Sequence, residues 1–370
     1  MQHDWKEARA PDLLFEEEQR ARVAEIAPLL EHPEQITART PLHRITVFLT
    51  YRCNLACPYC KTIARSAAEL DARPHRRLTY DLASFEALLD AHRETPLRHL
   101  HFTGGEATLV PQLAAMIRRA KARGVGAVSL TSNGTLAPRL YVDLVKSGLT
   151  ELRISIDAGD PALGEAMTGR PGAFDAVMRT LHALAAERAR GLRFAWILNT
   201  VVSEKNRARL PEILGSLLRF EPDDIKLITS VDLRGRLGDF PEAQAVRQEL
   251  ERMVAALPPE AMPLLRRKLQ TVFAPDAIGL DRVRAAPARS WRCYIPLTER
   301  TVDRAHYYPC SVYLREGGAP LGPIDDPPHV QRERSARFVR ESNCLSDPIC
   351  RRYCLNCTRA FNERANEARG

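Results

Sequence analysis

The sequence predicts an α/β protein built as a partial (β/α)6 TIM barrel, followed by a small C-terminal domain rich in cysteine. From residue 45 onward, short β-rich runs alternate with helical stretches, as expected of a parallel sheet wrapped by helices. After residue 257 the composition shifts toward proline, and six of the nine cysteines fall there. We therefore expect a helical lead-in over residues 1–44, the barrel over 45–257 and the C-terminal domain over 258–370.

Length and composition place the chain among globular proteins. Its 370 residues can bury a large core, and 45% hydrophobic with 27% charged residues is a usual balance. The longest apolar runs, such as residues 197–202, are too short to cross a bilayer. The N-terminus is charged from the start and lacks the order of a signal peptide. We expect a cytoplasmic protein with no membrane partner.

Six apolar runs are the candidate strands, and their hydrophobicity is typical of buried parallel strands. They span residues 45–50, 99–103, 127–132, 152–157, 194–202 and 225–231. Between and after them the sequence predicts helices, with Gly124 and Gly148 as C-terminal stops, over residues 79–92, 111–123, 138–147, 173–190, 207–220 and 242–256. Such sheets bind ligands at the carboxyl ends of their strands, so the site is expected at that edge.

A cysteine triad follows the first predicted strand. Cys53, Cys57 and Cys60 stand in the run TYRCNLACPYC, and at this cysteine content the spacing should arise by chance about 0.005 times per chain. Three thiolates on one loop can hold three irons of a 4Fe-4S cluster and leave the fourth iron open to a ligand. A zinc site completed by a histidine such as His75 is the alternative, since spacing alone does not exclude it.

This run resembles the signature of the radical S-adenosylmethionine (SAM) superfamily, including the aromatic Tyr59 before the last cysteine. The resemblance covers roughly residues 45–231. It implies that the open iron binds the amino and carboxylate groups of SAM and that one electron cleaves the sulfonium. The resulting 5′-deoxyadenosyl radical then abstracts hydrogen from a substrate. The resemblance also implies an electron donor of the flavodoxin or ferredoxin type.

Further segments at predicted strand ends fit the same resemblance. Gly104, Gly105 and Glu106 resemble the family's GGE motif, whose backbone and acid meet the SAM amino group, and glycine permits close backbone approach. Ordinary turn chemistry is the alternative for these short motifs. The other SAM contacts that the resemblance implies are Asn133, Ser155, Asp157 and Asn199 for its polar groups, with Tyr59 and Val201 for the adenine.

The late cysteines resemble the C-terminal extension of such enzymes called SPASM or, in its shorter form, twitch, which holds one or two auxiliary 4Fe-4S clusters. Six thiolates cannot fully ligate two cubanes, which need eight, so one auxiliary cluster is expected. Its expected ligands are Cys293, Cys310, Cys354 and Cys357, with Cys344 and Cys350 as spare or alternative ligands. A structural zinc site built on the last four cysteines is the alternative.

Enzymes of this subgroup act on ribosomal peptides or on small molecules. We expect a small-molecule or short peptide substrate, because 44 residues before the barrel are too few for a leader-binding domain. A peptide-modifying maturase is the alternative. Asp232, just beyond the sixth predicted strand, is the candidate catalytic residue, although a loop salt bridge with Arg234 explains it equally well. The net charge of +8 raises a remote alternative, a nucleic-acid-binding iron-sulfur or zinc protein, but only 6% of residues are aromatic.

Overall fold

A parallel sheet covered by helices dominates the computed structural model, which describes residues 26–37, 42–62, 67–93, 97–230, 240–272, 291–293 and 295–353. The six predicted strands are present, each within two residues of its predicted start. They are β1 (Arg44–Phe48), β2 (His99–Thr103), β3 (Ala127–Ser132), β4 (Glu151–Ser155), β5 (Ala195–Val202) and β6 (Asp224–Thr229). The predicted partial α/β barrel is confirmed.

The strands pair side by side in chain order from β1 to β6, and every one of these pairs is parallel. All six carboxyl ends therefore lie along one edge of the sheet. Across the described ranges the sheet stays open, because β6 has a partner on one side only.

The helices return the chain from the carboxyl edge to the start of the next strand. Gly124 and Gly148 follow two of them with φ of 84° and 110°, the left-handed conformation expected of glycine stops. The helices are 26–31 (α1), Ala67–Ala72 (α2), Leu82–Ala91 (α3), Leu113–Ala122 (α4), Pro138–Lys146 (α5), Pro161–Thr168 (α6), Ala173–Ala189 (α7), Leu210–Leu218 (α8), Ala243–Ala255 (α9), Pro263–Val272 (α10), Ile295–Thr298 (α11), Ser311–Arg315 (α12), Pro328–Glu341 (α13) and Pro348–Tyr353 (α14). Each is too short or too polar to span a bilayer.

The core lies between the sheet and the helices. In β2 the fully buried Leu100 and Phe102 belong to it, and the Phe102 ring lies 5.4 Å from that of Phe85 in α3. The alternate residues of β2 are polar and point to the opposite face. There His99 and His101 each hydrogen-bond Ser129 Oγ of β3, at 2.7 and 2.8 Å. The barrel interior is therefore polar, which gives the carboxyl edge side chains suited to polar ligands.

Part of the predicted C-terminal domain continues the barrel sheet. Strand β7 (Glu299–Val302) pairs in parallel with β1, and β8 (His306–Tyr308) and β9 (Gly322–Pro323) follow antiparallel. Helix α1 of the lead-in packs on this region through a buried apolar group that includes Ile26, Leu30, Leu297 and Val339. The proposed division at residue 258 stays a prediction.

Candidate functional site

The cysteine triad lies on the loop that leaves the carboxyl end of β1. Cys53, Cys57 and Cys60 are half-buried. Burial raises the pKa of Cys57 to about 12, with further contributions from Asp157 and the other two thiols. Burial raises the pKa of Cys53 as well. A bound cation would oppose this effect of burial, because it stabilises the thiolate forms of Cys53 and Cys57. Three neighbouring thiols that remain partly open to solvent fit a metal centre with an exposed ligand position.

The two glycines after β2 are required by their contact with this cysteine loop. A Cβ atom on Gly104 would lie 2.5 Å from the Thr50 carbonyl oxygen, and one on Gly105 would lie 2.3 Å from that of Arg52. The Gly105 amide donates to Thr50 O at 2.7 Å and the Glu106 amide to Arg52 O at 2.8 Å. We expected these glycines to allow a close approach to SAM. In the structure they approach the backbone at the start of the cysteine loop instead.

The carboxylate of Glu106 joins the ends of β2 and β3. It is 1% exposed. Its Oε1 accepts the Thr108 amide at 3.0 Å, the Thr108 hydroxyl at 2.5 Å and the Ser132 hydroxyl at 2.8 Å, while Oε2 accepts the Asn133 amide at 2.7 Å. The Glu106 carboxylate thus accepts hydrogen bonds from four protein donors, whereas we expected the SAM amino group as its partner. Burial at the junction of two loops is the physical reason, since a buried carboxylate needs its hydrogen bonds satisfied.

Asn133 fixes the cysteine loop from the side of β3. Its Nδ2 donates to Asn54 Oδ1 at 2.8 Å and lies 3.9 Å from Cys53 Sγ. From the side of α6, the Ala56 amide donates to Thr168 O at 2.9 Å and Arg170 Nη1 to Asn54 O at 2.7 Å. We did not predict α6, so sequence reasoning missed this second anchor.

Tyr59 and Val201 each donate a hydrogen bond to Asp157. The Tyr59 hydroxyl donates to Asp157 Oδ2, and the Val201 amide donates to Asp157 Oδ1 at 2.7 Å. Burial raises the pKa of Asp157 to about 6, and burial together with the Asp157 charge raises the pKa of Tyr59 well above its usual value. Asp157 therefore holds the residue before Cys60 against β5, in addition to any contact with SAM.

Asn199 and Ser155 face each other across β4 and β5, at the carboxyl edge. Asn199 is 6% exposed, and within the described part of the chain its Oδ1 atom makes no hydrogen bond. A buried amide oxygen without a donor costs about 1 to 3 kcal/mol, so a ligand that brings a donor would be stabilised there. Ser155 is half-buried beside it. The SAM contacts expected at these two positions stay a prediction.

Four late cysteines meet in a second, buried cluster, each of them at most 9% exposed. They come from the segment before α11, the start of α12, the loop after α13 and α14, and they are Cys293, Cys310, Cys344 and Cys350. A hydrogen bond with Cys344, together with burial, raises the pKa of Cys293, and burial raises that of Cys310 to about 11. Four enclosed thiols fit a fully ligated metal centre.

The structure therefore groups Cys344 and Cys350, the expected spare or alternative ligands, with Cys293 and Cys310. The expected partners Cys354 and Cys357 lie outside the described residues, as do Asp232 and Arg234. The two cysteine clusters are connected by an ion pair between Lys61, next to Cys60, and Glu316, next to α12, at 3.2 Å.

Sequence reasoning also missed Asp303, which follows β7 and is 1% exposed. The Tyr51 hydroxyl, two residues before Cys53, donates to its Oδ2 at 2.7 Å. The signal was hidden because β7 has only four residues and we did not predict it.

Comparison with known proteins finds similarity over most of the barrel. The model of the Radical SAM superfamily matches residues 47–216. A GTP 3′,8-cyclase of Xanthomonas campestris pv. campestris (strain 8004) is 30% identical over 219 residues, which are 55% of this chain and 64% of that protein. A PqqA peptide cyclase of Xanthomonas oryzae pv. oryzae (strain MAFF 311018) is 27% identical over 249 residues, 66% of this chain and 61% of that protein. The chain thus spans less than two thirds of these curated relatives.

Solved structures share the fold over more than the barrel. Streptococcus suis SuiB bound to precursor peptide SuiA has a TM-score of 0.59 at 13% identity, and the match covers 90% of this chain and 74% of the SuiB chain. SuiB bound to S-adenosylmethionine has a TM-score of 0.57 at 16% identity, and the match covers 90% of this chain and 76% of the SuiB chain. Native anSMEcpe with bound AdoMet has a TM-score of 0.55 at 15% identity, and the match covers 89% of this chain and 99% of the anSMEcpe chain. At these identities the likeness concerns the fold.

Proposed function

Because residues 47–216 of this chain form a domain of the radical SAM superfamily, we propose that it is an enzyme that cleaves SAM reductively and abstracts hydrogen from a substrate. The observation that carries the proposal is the position of Cys53, Cys57 and Cys60 on one loop, half-open to solvent at the carboxyl edge. When bound, the cluster and SAM supply the one-electron cleavage of the sulfonium and the hydrogen abstraction that follows.

The residues around the triad would hold the cluster, the cysteine loop and SAM in position. The three thiolates would hold three irons of the cluster and leave the fourth iron for SAM. Gly105 and Glu106 keep the loop on the end of β2, while Asn133 keeps it on β3. Asn199 and Ser155 would hold polar groups of SAM, and the support is that the buried Asn199 oxygen needs a donor.

The test is SAM cleavage by the purified chain. Protein reconstituted with iron and sulfide without oxygen, then reduced with dithionite, should convert SAM to 5′-deoxyadenosine. The variant with Cys53, Cys57 and Cys60 replaced by alanine should form none and should bind about four fewer irons. Equal 5′-deoxyadenosine formation by both proteins would refute the proposed site.

We further propose one auxiliary 4Fe-4S cluster held by Cys293, Cys310, Cys344 and Cys350. Its support is the burial of these four thiols in one cluster. In the triple-alanine background, reconstituted protein should retain about four irons with a cubane spectrum. Cys344→Ala should remove this iron and Cys354→Ala should not. The opposite result would favour the set with Cys354 and Cys357, and one zinc without iron would end the auxiliary-cluster proposal.

We propose that the substrate is a peptide. We also propose that a flavodoxin or a ferredoxin supplies the electron that reduces the cluster. The support for a peptide is the fold likeness over about 90% of the chain to SuiB, which has been solved with a precursor peptide. A small molecule is the second candidate, favoured by the 30% identity to a GTP 3′,8-cyclase.

One experiment separates the two substrate classes. A low-molecular-mass extract of the source cells is added to the reduced enzyme, before and after treatment with a protease that is then inactivated. Stimulation of 5′-deoxyadenosine formation that disappears after proteolysis supports a peptide. Stimulation that survives proteolysis indicates a small molecule.

A further inference from the structure

Two histidines and an aspartate converge beside the cysteine loop. Asp303 follows β7, and because β7 runs parallel to β1, it lies at the same carboxyl edge as the triad. His75 lies in the short 3-10 helix Pro74–Arg77, and His306 begins β8. One ligand atom from each of the three residues lies within 4.8 Å of the others.

The separations between these atoms are too long for hydrogen bonds. His75 Nε2 lies 4.0 Å from Asp303 Oδ2, and His306 Nδ1 lies 3.8 Å from Asp303 Oδ1. The two imidazole rings are perpendicular, with centroids 5.0 Å apart. The His306 Nδ1 atom is buried and, among the described residues, has no hydrogen-bond partner. The three potential ligand side chains therefore surround a common space, and these separations between their ligand atoms are too long for hydrogen bonds.

The carboxylate at the centre is rigidly held. Asp303 Oδ2 accepts the Tyr51 hydroxyl at 2.7 Å and the Tyr308 hydroxyl at 3.4 Å. Its Oδ1 accepts the amides of Ala305 and His306, at 2.8 and 2.7 Å. Such outer hydrogen bonds are what orient a metal-ligating carboxylate.

Two arginines, Arg73 and Arg76, lie near His75, and the charge of the second is compensated. Arg76, next to His75 in the chain, forms an ion pair with Glu69 at 2.8 Å. Its positive charge is thus partly neutralised and does not stand alone against a bound metal ion.

We propose that His75, Asp303 and His306 bind a divalent transition metal ion of the zinc type, with one coordination position left open. Two imidazoles and a carboxylate form a ligand set that zinc prefers in sites that keep a fourth position for water or substrate. Tetrahedral zinc with bonds near 2.1 Å needs donor atoms about 3.4 Å apart. The three ligand atoms lie within 4.8 Å of one another, so they must approach by up to about 1.4 Å.

The histidines can make this movement, because their side chains are 23% and 29% exposed. The open position lies beside the cysteine loop, where it would take a carbonyl or carboxylate oxygen of the substrate and polarise it. This site does not depend on SAM cleavage, so it stands or falls separately from the proposed function.

The test is zinc binding by the full chain. Protein whose clusters have been reconstituted is equilibrated with Zn²⁺, passed over a desalting column with a weak chelator, and analysed for zinc, iron and sulfide. The parent should keep one zinc per chain beyond its cluster metal, and X-ray absorption at the zinc edge should show two imidazoles with oxygen ligands. His75→Ala and His306→Ala should each weaken zinc binding by more than about 100-fold, since even outer-shell changes cost 10- to 100-fold.

His329→Ala, which changes an exposed histidine on α13, should bind zinc like the parent. Iron content and circular dichroism check that each variant is folded, and His75→Gln replaces any alanine variant that is not. Equal zinc in the parent and in both histidine variants, or a zinc edge dominated by sulfur, would overturn the proposal.

Discussion

The Asn133 backbone amide donates a hydrogen bond to Glu106 Oε2 at 2.7 Å, and this bond ties the end of β3 to the end of β2. The Glu106 amide bonds the cysteine loop, and the Asn133 side chain contacts both Asn54 and Cys53. The two residues therefore connect the ends of β2 and β3 to the proposed metal-binding loop, which leaves the end of β1. Glu106 stabilises the site from within, even where SAM is absent.

Glu106→Ala should lower stability as well as SAM affinity. The change leaves buried donors of Thr108, Ser132 and Asn133 without their acceptor, which should reduce the free energy of unfolding by about 2 kcal/mol or more. Urea denaturation of the metal-free chain measures the first effect, and calorimetry of SAM binding to the reconstituted protein measures the second. Glu165→Ala, an exposed glutamate on α6, is the control. Unchanged stability with weaker SAM binding would show that Glu106 serves the ligand alone.

Asn199→Ala, in contrast to Glu106→Ala, should weaken SAM binding without lowering stability. The Asn199 oxygen has no donor within the described structure, so its removal should leave the free energy of unfolding within about 0.5 kcal/mol or raise it. SAM binding should weaken by about 1 to 3 kcal/mol if this oxygen accepts a hydrogen bond from SAM. The same two measurements apply. Parent-like SAM affinity would remove Asn199 from the binding site.

Gly105→Ala should impair assembly of the cluster rather than SAM contact alone. The added Cβ would lie 2.3 Å from Arg52 O and 2.7 Å from Arg52 C, which are backbone atoms next to Cys53. The loop must move, so iron retained per chain should fall after reconstitution and desalting. Gly126→Ala is the control, because its Cβ would meet nothing closer than 3.6 Å. Full iron content in the Gly105 variant would show that the loop tolerates displacement.

The barrel could be predicted from the sequence because each of its strands is a local hydrophobic run, and short runs at regular spacing identify a parallel sheet. Helix α6 also carried its local signals, Asp160 as the N-cap, Pro161 in the first turn and Gly169 at the end with φ of 67°. We overlooked them because eight residues before a longer helical pattern resemble a loop. Strand β7 carried no such signal, since its pairing with β1 joins residues more than 250 positions apart.

The site was predictable in its residue types and less so in its bonding. Spacing predicted the triad, and strand ends predicted Glu106 and Asp157. Which partner each side chain contacts depends on the approach of separate loops, as when Tyr59 meets Asp157 nearly a hundred positions later. The grouping of Cys344 and Cys350 with Cys293 depends likewise on how α13 and α14 pack. Spacing along the chain does not contain that information.

Asp157 should make stability pH-dependent in the metal-free chain. Burial raises its pKa from 3.8 to about 6, so between these values the folded state binds more protons than the unfolded state. Stability contributed by the protonated carboxyl is therefore lost as pH rises.

Relative to Asp157→Asn, a neutral side chain of the same shape, the parent should lose about 2 kcal/mol of unfolding free energy between pH 4.5 and 7. Urea denaturation of both proteins at the two pH values measures this difference, in which other titrating groups cancel. Parallel pH profiles would mean that Asp157 ionises near its ordinary pKa, and that Tyr59 and the Val201 amide stabilise its charge as strongly as burial disfavours it.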